Sequence, residues 1–205
     1  MPDTLVRDLT EGELLGAAGV LGRGMRDNPL HLRVFGPDPG GRELALTRLF
    51  GAVLPRAHRK GRVLGAFHEA QLVGVCAVVA PGHCRLSIGE KARVAPRMLR
   101  SMSLNRVLSL VRWTNGWERL DPSSAHWHIG PVGVERHLQG RGIGSAIMRA
   151  VLDPVREAPA YLETDKLENV RFYERFAFTV RLQSPVLGMP NWFIQRDGDS
   201  HLTCA

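Results

Sequence analysis

The sequence predicts a single α/β domain, and three stretches carry that expectation. Residues 129–134 form an apolar, β-branched run that passes through Gln139-Gly140-Arg141-Gly142-Ile143-Gly144 into Ile143, Ile147 and Val151 at helical spacing, which reads as strand, tight turn and helix. Two further β-rich runs, 63–67 and 72–79, meet at about residues 68–71 and read as a hairpin. From 42 to 58 the apolar positions Leu46, Leu49, Phe50 and Val53 recur every three or four residues, the period of one helix face. A chain of 205 residues with 44% hydrophobic content can bury one substantial core. Residues 1–197 are therefore expected to form one domain, followed by a polar tail at 198–205.

Taken in order, residues 5–9 can make a first strand, and Thr10-x-x-Glu13 has the form of a capping box opening a helix. Leu14, Ala18, Leu21 and Met25 fall on one face of that helix. Gly16, Gly19, Gly22 and Gly24 each lower helix propensity by roughly 1 kcal/mol relative to Ala, so the helix depends on packing or on something that approaches its backbone closely. Asn28-Pro29 starts a second short helix, and 36–41 reads as a loop. The third helix, 42–58, ends in Arg56, His58, Arg59 and Lys60, cations that complement the helix dipole. Residues 96–117 are helical again, and Trp113, Trp117 and Glu118 could line a cleft or, for the tryptophans, fill the core or a dimer contact. The central strand, 125–134, carries Gly130 and Pro131 in its interior, which implies a bulge or an interrupted ladder. The helix from Ile143 ends near Asp153-Pro154. A fifth strand through Leu162, a short helix at 168–175, and a final antiparallel pair at 178–182 and 192–194 complete the chain.

The formal charge is +7, which raises the question of nucleic acid. All but Lys60, Lys91 and Lys166 of the 27 basic residues are arginine, scattered without aromatic interleaving, so no nucleic-acid partner is expected. Cys76, Cys84 and Cys204 lack metal-ligand spacing, so reduced thiols and no metal are expected. There is no leader pattern at Met1-Pro2-Asp3-Thr4 and no apolar run of membrane-spanning length, which suits a soluble cytoplasmic protein without a membrane partner.

The chemistry concentrates at 139–145. Glycine at a strand-to-helix turn lets backbone N–H groups approach a ligand, and the first four N–H groups of the following helix are unpaired at the positive end of its dipole. With Arg141 beside them, these features describe a diphosphate cradle. The dinucleotide fingerprint needs G-x-G-x-x-G, whereas here the glycines are Gly140, Gly142 and Gly144, and no Gly-Lys-Ser/Thr follows.

The Gln-x-x-Gly-x-Gly pattern, with Tyr161-Leu162-Glu163-Thr164 and Glu168-Asn169-Val170-Arg171-Phe172-Tyr173-Glu174-Arg175-Phe176-Ala177-Phe178 downstream, resembles the GNAT superfamily of N-acetyltransferases, bacterial small-molecule type. The resemblance is closest over 127–180, within a best-matched core of 125–195. It implies a mixed, mostly antiparallel sheet flanked by helices, with splayed strands that hold acetyl-coenzyme A. It also implies transfer of acetyl to a primary amine of a small molecule by direct attack in a ternary complex, in a monomer or homodimer. By this resemblance the backbone of Val132, Gly133 and Val134 binds the pantetheine arm and acetyl carbonyl. Gln139, Gly140, Arg141, Gly142, Ile143, Gly144 and Ser145 hold the diphosphate, with Gln139 positioning the loop. Asn169 bonds the pantetheine arm, and Tyr173 is the general acid. A coenzyme A-binding sensor or interaction domain without turnover is the alternative, with a basic nucleic-acid-binding protein ranked behind it.

The acid assignment has chemical support, because a phenol of pKa near 10 can protonate a departing thiolate whose thiol has a pKa near 8.5. For the base, Glu163, His128, His126 and Glu118 all stand near the central strand, with Glu163 and His128 preferred. A lysine-like amine costs about 4.6 kcal/mol to deprotonate at pH 7 and an α-amine about 1, so the need for a base depends on the acceptor.

Overall fold

The computed structural model describes residues 4–99 and 102–198, so the expected tail lies, apart from Gly198, outside the described residues. Seven strands form one sheet: β1 (Leu5–Asp8), β2 (Gly61–His68), β3 (Gln71–Val79), β4 (Trp127–Val134), β5 (Ala160–Thr164), β6 (Thr179–Gln183) and β7 (Trp192–Arg196). Their spatial order is β1-β2-β3-β4-β5-β7-β6. Every neighbouring pair is antiparallel except β4 and β5. The helices are α1 (Leu14–Gly24), α2 (Pro29–Phe35), α3 (Pro39–Lys60), α4 (Ile88–Leu99), α5 (Leu104–Leu120), α6 (Ile143–Leu152) and α7 (Leu167–Glu174).

Strand alternation divides the helices into two layers. On β3, Val75, Ala77 and Val79 pack with the apolar residues of α1 to α5, whereas Cys76 and Val78 pack with α6 and α7. Tyr161 and Phe193 join the first core, while Leu162 and Ile194 join the second. Full burial of each Leu, Ile or Phe is worth about 1.5–3 kcal/mol, so the sheet is held from both faces.

The glycines of α1 show why that helix tolerates them. A Cβ on Gly22 would collide with the Thr47 hydroxyl of α3, and one on Gly24 would lie 2.6 Å from the Val134 carbonyl oxygen of β4. The close approach expected from the sequence is thus made by α3 and β4. At the start of the helical segment the Glu13 carboxylate accepts from the Thr10 N–H at 2.8 Å and from its hydroxyl at 3.0 Å.

Two sequence expectations are corrected. Residues 39–41 are not loop but the first turn of α3, because Pro39 has the φ of a first helical position and the Asp38 carboxylate accepts from the Gly41 N–H at 2.6 Å. The helical segment at 96–117 is two helices. α4 starts earlier, where the Ser87 N–H donates to Glu90 at 2.8 Å and the Glu90 N–H donates to the Ser87 hydroxyl at 3.2 Å, a capping box. Extended Ser103 then begins α5 afresh. Arg56, at the end of α3, donates to the Glu90 carboxylate at 2.7 Å and to the carbonyls of His83 and Arg85, which anchors the start of α4 and the loop before it. Among the described residues no helix is long and apolar enough to cross a membrane.

Candidate active site

A gap opens where β4 and β5 part. The two parallel strands are in register at two pairs, Trp127 with Ala160 and His128 with Tyr161, and no pairing continues beyond them. On its other edge β4 bulges: Cys76 pairs with Val132 and Val78 with Ile129, so Gly130 and Pro131 together oppose Ala77. The bulge falls where the sequence places it, and the β5-facing edge of 129–134 is left without a strand partner.

Two spaces lie along this gap. One is a cleft of about 490 Å³ whose lining includes Val134, Gln139, Gly140, Gly142 and Ser145. Gly140 and Gly142 have φ of 78° and 87°, and a Cβ at either would meet nothing within 4 Å, so glycine is required here for conformation rather than for room. Gly142 caps α6, whose unpaired N–H groups begin at this cleft. The Gln139 side-chain amide donates to the carbonyls of Gly24 (3.2 Å) and Val134 (3.0 Å), tying the loop to α1 and β4. Arg23 grips Glu135 at 2.6 Å alongside. Arg141 is exposed and outside the lining; Lys166 and Arg175, which sequence reasoning did not single out, supply cationic groups on the α7 side. The Arg175 guanidinium lies 5.0 Å from the centre of the Phe172 ring.

The other space is a cavity of about 260 Å³ walled by Phe50, Trp113, Trp117 and His31, with His128 and Glu163 among its polar lining. Trp113 and Trp117 stand edge to face at 5.0 Å, and the Trp117 indole N–H donates to Asn191 Oδ1 at 3.1 Å. Trp113 is buried in the core and also walls the cavity, and Trp117 walls it while packing half-buried against the same core.

Asn169 and Tyr173 line both spaces, together with Met25, Asn28 and Val132. Tyr173 is packed in the core on the α6–α7 face, yet its side chain reaches the cavity whose other walls come from α2, α3 and α5. It does so through the gap between β4 and β5. Burial, and then the neighbouring Cys76 thiol, push the Tyr173 phenol above its ordinary range, so it stays protonated at neutral pH. The Asn169 amide donates to the Thr164 hydroxyl at 3.0 Å, which orients the side chain.

Of the four base candidates, the structure brings Glu163 and His128 together in the cavity. Their Oε2 and Nε2 atoms are 3.2 Å apart, and the Glu163 side chain is 4% exposed. Burial disfavours the charged His128 imidazole, but Glu163 and Cys84 outweigh it and push its pKa up to about 10, so at neutral pH the ring donates and the carboxylate accepts. His126 does not line the cavity; its Nε2 lies 3.2 Å from Asp121 Oδ1 and 3.5 Å from Cys84 Sγ, and its Nδ1 is 2.7 Å from the Ser124 carbonyl. Glu118 is paired with Lys91 at 2.7 Å, also outside the cavity. His31 is an unforeseen member. Burial lowers its pKa, so it is a neutral imidazole in the cavity wall, held by the Met25 carbonyl at 2.7 Å.

A glycine-turn anion cradle that joins an aromatic, carboxylate-bearing cavity across splayed strands defines a group-transfer enzyme of the acetyl-coenzyme A type. The chain belongs to the acetyltransferase (GNAT) family, whose model matches residues 35–178. Solved structures share the fold. A protein described as histone acetyltransferase HPA2 and related acetyltransferase, from Corynebacterium glutamicum, superposes with a TM-score of 0.72 at 20% identity, covering 95% of this chain and 96% of that one. The polyamine N-acetyltransferase of Drosophila melanogaster, which forms N-acetylagmatine, gives a TM-score of 0.62 at 15% identity over 95% and 100% of the two chains. A Brucella melitensis GNAT acetyltransferase in complex with acetyl-coenzyme A gives 0.51 at 17% over 95% and 87%. The protein is thus an acetyltransferase whose cofactor is acetyl-coenzyme A, and the cradle fits a diphosphate by its open glycines, its helix N-terminus and its flanking Lys166 and Arg175.

Proposed function

We propose that this protein acetylates a primary amine of a small molecule by direct attack in a ternary complex. The observation that carries the reading is that Asn169 and Tyr173 line both the cradle and the aromatic cavity, so donor and acceptor spaces meet beside a protonated phenol. Acetyl-coenzyme A supplies the activated acetyl thioester. Gly140, Gly142 and the N-terminal amides of α6 hold its diphosphate, Gln139 holds the loop, and the unpaired edge of Val132 to Val134 receives the pantetheine arm, with Asn169 on the opposite side. Tyr173 donates a proton to the departing sulfur.

Glu163 takes the proton that the attacking amine loses, and His128 holds that carboxylate through its Nε2–H. Four aromatic walls and a buried carboxylate favour an acceptor that arrives as a cation. The polyamine chemistry of the Drosophila relative agrees with that class. A cavity of about 260 Å³ suits a small amine. The test is release of free coenzyme A with a panel of diamines, guanidino-amines, amino-antibiotics and peptide N-termini. Release that depends on a small cationic amine supports the reading. Tight cofactor binding without release for any member would turn it toward a coenzyme A sensor.

A further inference from the structure

Beside the acceptor cavity four side chains converge, of which acetyl transfer accounts only for His128, through its contact with Glu163. Cys84 lies in the loop after β3, Asp121 directly follows α5, His126 immediately precedes β4 and His128 is its second residue. One donor atom each of Cys84, His126 and His128 lies within 4.8 Å of the other two. Three of the six edges of this cluster are 3.5 Å from Cys84 Sγ to His126 Nε2, 3.2 Å from His126 Nε2 to Asp121 Oδ1, and 4.0 Å from Asp121 Oδ1 to His128 Nδ1. Tetrahedral zinc, with bonds of about 2.0–2.3 Å, has ligand atoms roughly 3.3–3.8 Å apart, so the three edges bracket that spacing.

The hydrogen bonding indicates where the free valences point. The His126 Nδ1–H is engaged by the Ser124 carbonyl at 2.7 Å, which leaves Nε2 facing the cluster. The His128 Nε2–H is engaged by Glu163 at 3.2 Å, so Nδ1 faces the cluster and gives up its proton when a metal binds. A metal-bound histidine ordinarily has its second nitrogen held in this way by a carbonyl or carboxylate. His128 Nδ1 and Asp121 Oδ1 are both buried without a hydrogen-bond partner, and the Asp121 side chain is 8% exposed. Asp121 Oδ1 is near enough to His126 Nε2 to bond but is not aligned with it, as two atoms are when both aim at a third point. The second carboxylate oxygen lies 3.6 Å from Arg85.

A thiol–histidine–carboxylate relay fits less well. In such a relay the carboxylate holds the ring nitrogen opposite the thiol; Glu163 does so at His128, but at His126 both Asp121 and Cys84 approach Nε2, and the relay leaves the buried Asp121 Oδ1 without a partner.

We infer that Cys84 Sγ, Asp121 Oδ1, His126 Nε2 and His128 Nδ1 form a binding site for a divalent transition-metal ion of the zinc type. Four protein ligands leave no open position, so the ion is structural. It staples the loop after β3 and the end of α5 to β4, and Glu163, acting through His128, links it to the acceptor cavity.

The test reads metal rather than activity, so it stands or falls independently of the proposed reaction. Purified wild-type protein, stripped with chelator, is titrated with Co²⁺ and, separately, with Zn²⁺ under reducing conditions. The expected result is about one equivalent of Co²⁺ bound with a near-ultraviolet thiolate-to-cobalt band, displaced by Zn²⁺, and a higher melting temperature with Zn²⁺. The band is lost in Cys84→Ser and retained in Cys204→Ser. Glu163→Gln keeps the band but weakens binding by about 10–100-fold, because Glu163 only orients a ligand. Absence of the band in the wild type, or its persistence in Cys84→Ser, overturns the inference. The wild-type titration decides the matter even if a variant fails to fold.

Discussion

His128, in the last β4–β5 pair, meets Glu163, two residues past its partner Tyr161, with Nε2 and Oε2 3.2 Å apart where the strands separate. The contact places a buried carboxylate at the mouth of the acceptor cavity and gives it a permanent donor. Glu163→Gln keeps the shape and removes the proton acceptor. For a lysine-like amine, kcat is expected to fall by about 10²-fold or more, with little change in the KM for acetyl-coenzyme A. A smaller loss with a weakly basic arylamine than with an alkyl diamine would identify deprotonation as the affected step. Equal losses for both would assign Glu163 to binding.

Tyr173→Phe tests the other proton. Tyr173 lines both spaces, so kcat is expected to drop by about 10-fold or more while coenzyme A affinity, read by calorimetry, stays within about two-fold. Unchanged turnover would remove Tyr173 from the mechanism.

Alkaline stability follows from buried acids, Cys76 and Tyr173 among them. Burial raises the Cys76 thiol and the Tyr173 phenol well above their ordinary ranges. Above about pH 9 the unfolded chain therefore loses protons that the folded protein keeps. Their contribution is complete below the unfolded values and declines as pH rises, by up to about 1.4 kcal/mol per pH unit per group. The urea midpoint is expected to fall between pH 8 and 10.5. In Tyr173→Phe it is expected to fall less steeply.

Gly24→Ala probes the clamp between α1 and β4. The added methyl would sit 2.6 Å from the Val134 carbonyl oxygen, which also accepts from Gln139. Either α1 or the strand end must move, so coenzyme A affinity is expected to weaken by several-fold along with stability. Gly16→Ala, where nothing lies within 4 Å, is expected to stabilise by about 0.5–1 kcal/mol and leave binding alone.

The parts of the site that are local in sequence were legible there. A strand, a glycine turn and a helix announce the cradle, and Asn169 and Tyr173, four apart on one helix, necessarily share a face. Gly130-Pro131 marked the bulge because proline lacks the donor that a ladder requires. The parts that are distant in sequence were not legible. Cys84 and His126 are 42 positions apart and have no motif spacing. His31 reaches the cavity because α2 packs against α5, which no pattern around Asn28-Pro29 reveals. Two misreadings had available signals: Asp38-Pro39 is a cap followed by a first-turn proline, hidden in a glycine-rich stretch, and Ser87-x-x-Glu90 is a capping box ahead of α4.

The two residue pairs between β4 and β5 have a further consequence. Backbone amides in the middle of a sheet are normally the slowest in a domain to exchange with solvent, yet those of 129–134 that turn toward β5 have no strand to hold them. Whatever occupies the gap becomes their partner. Cofactor loading in this protein would then be written into the isotope-exchange pattern of its innermost strand, where most folds keep no record of their ligands.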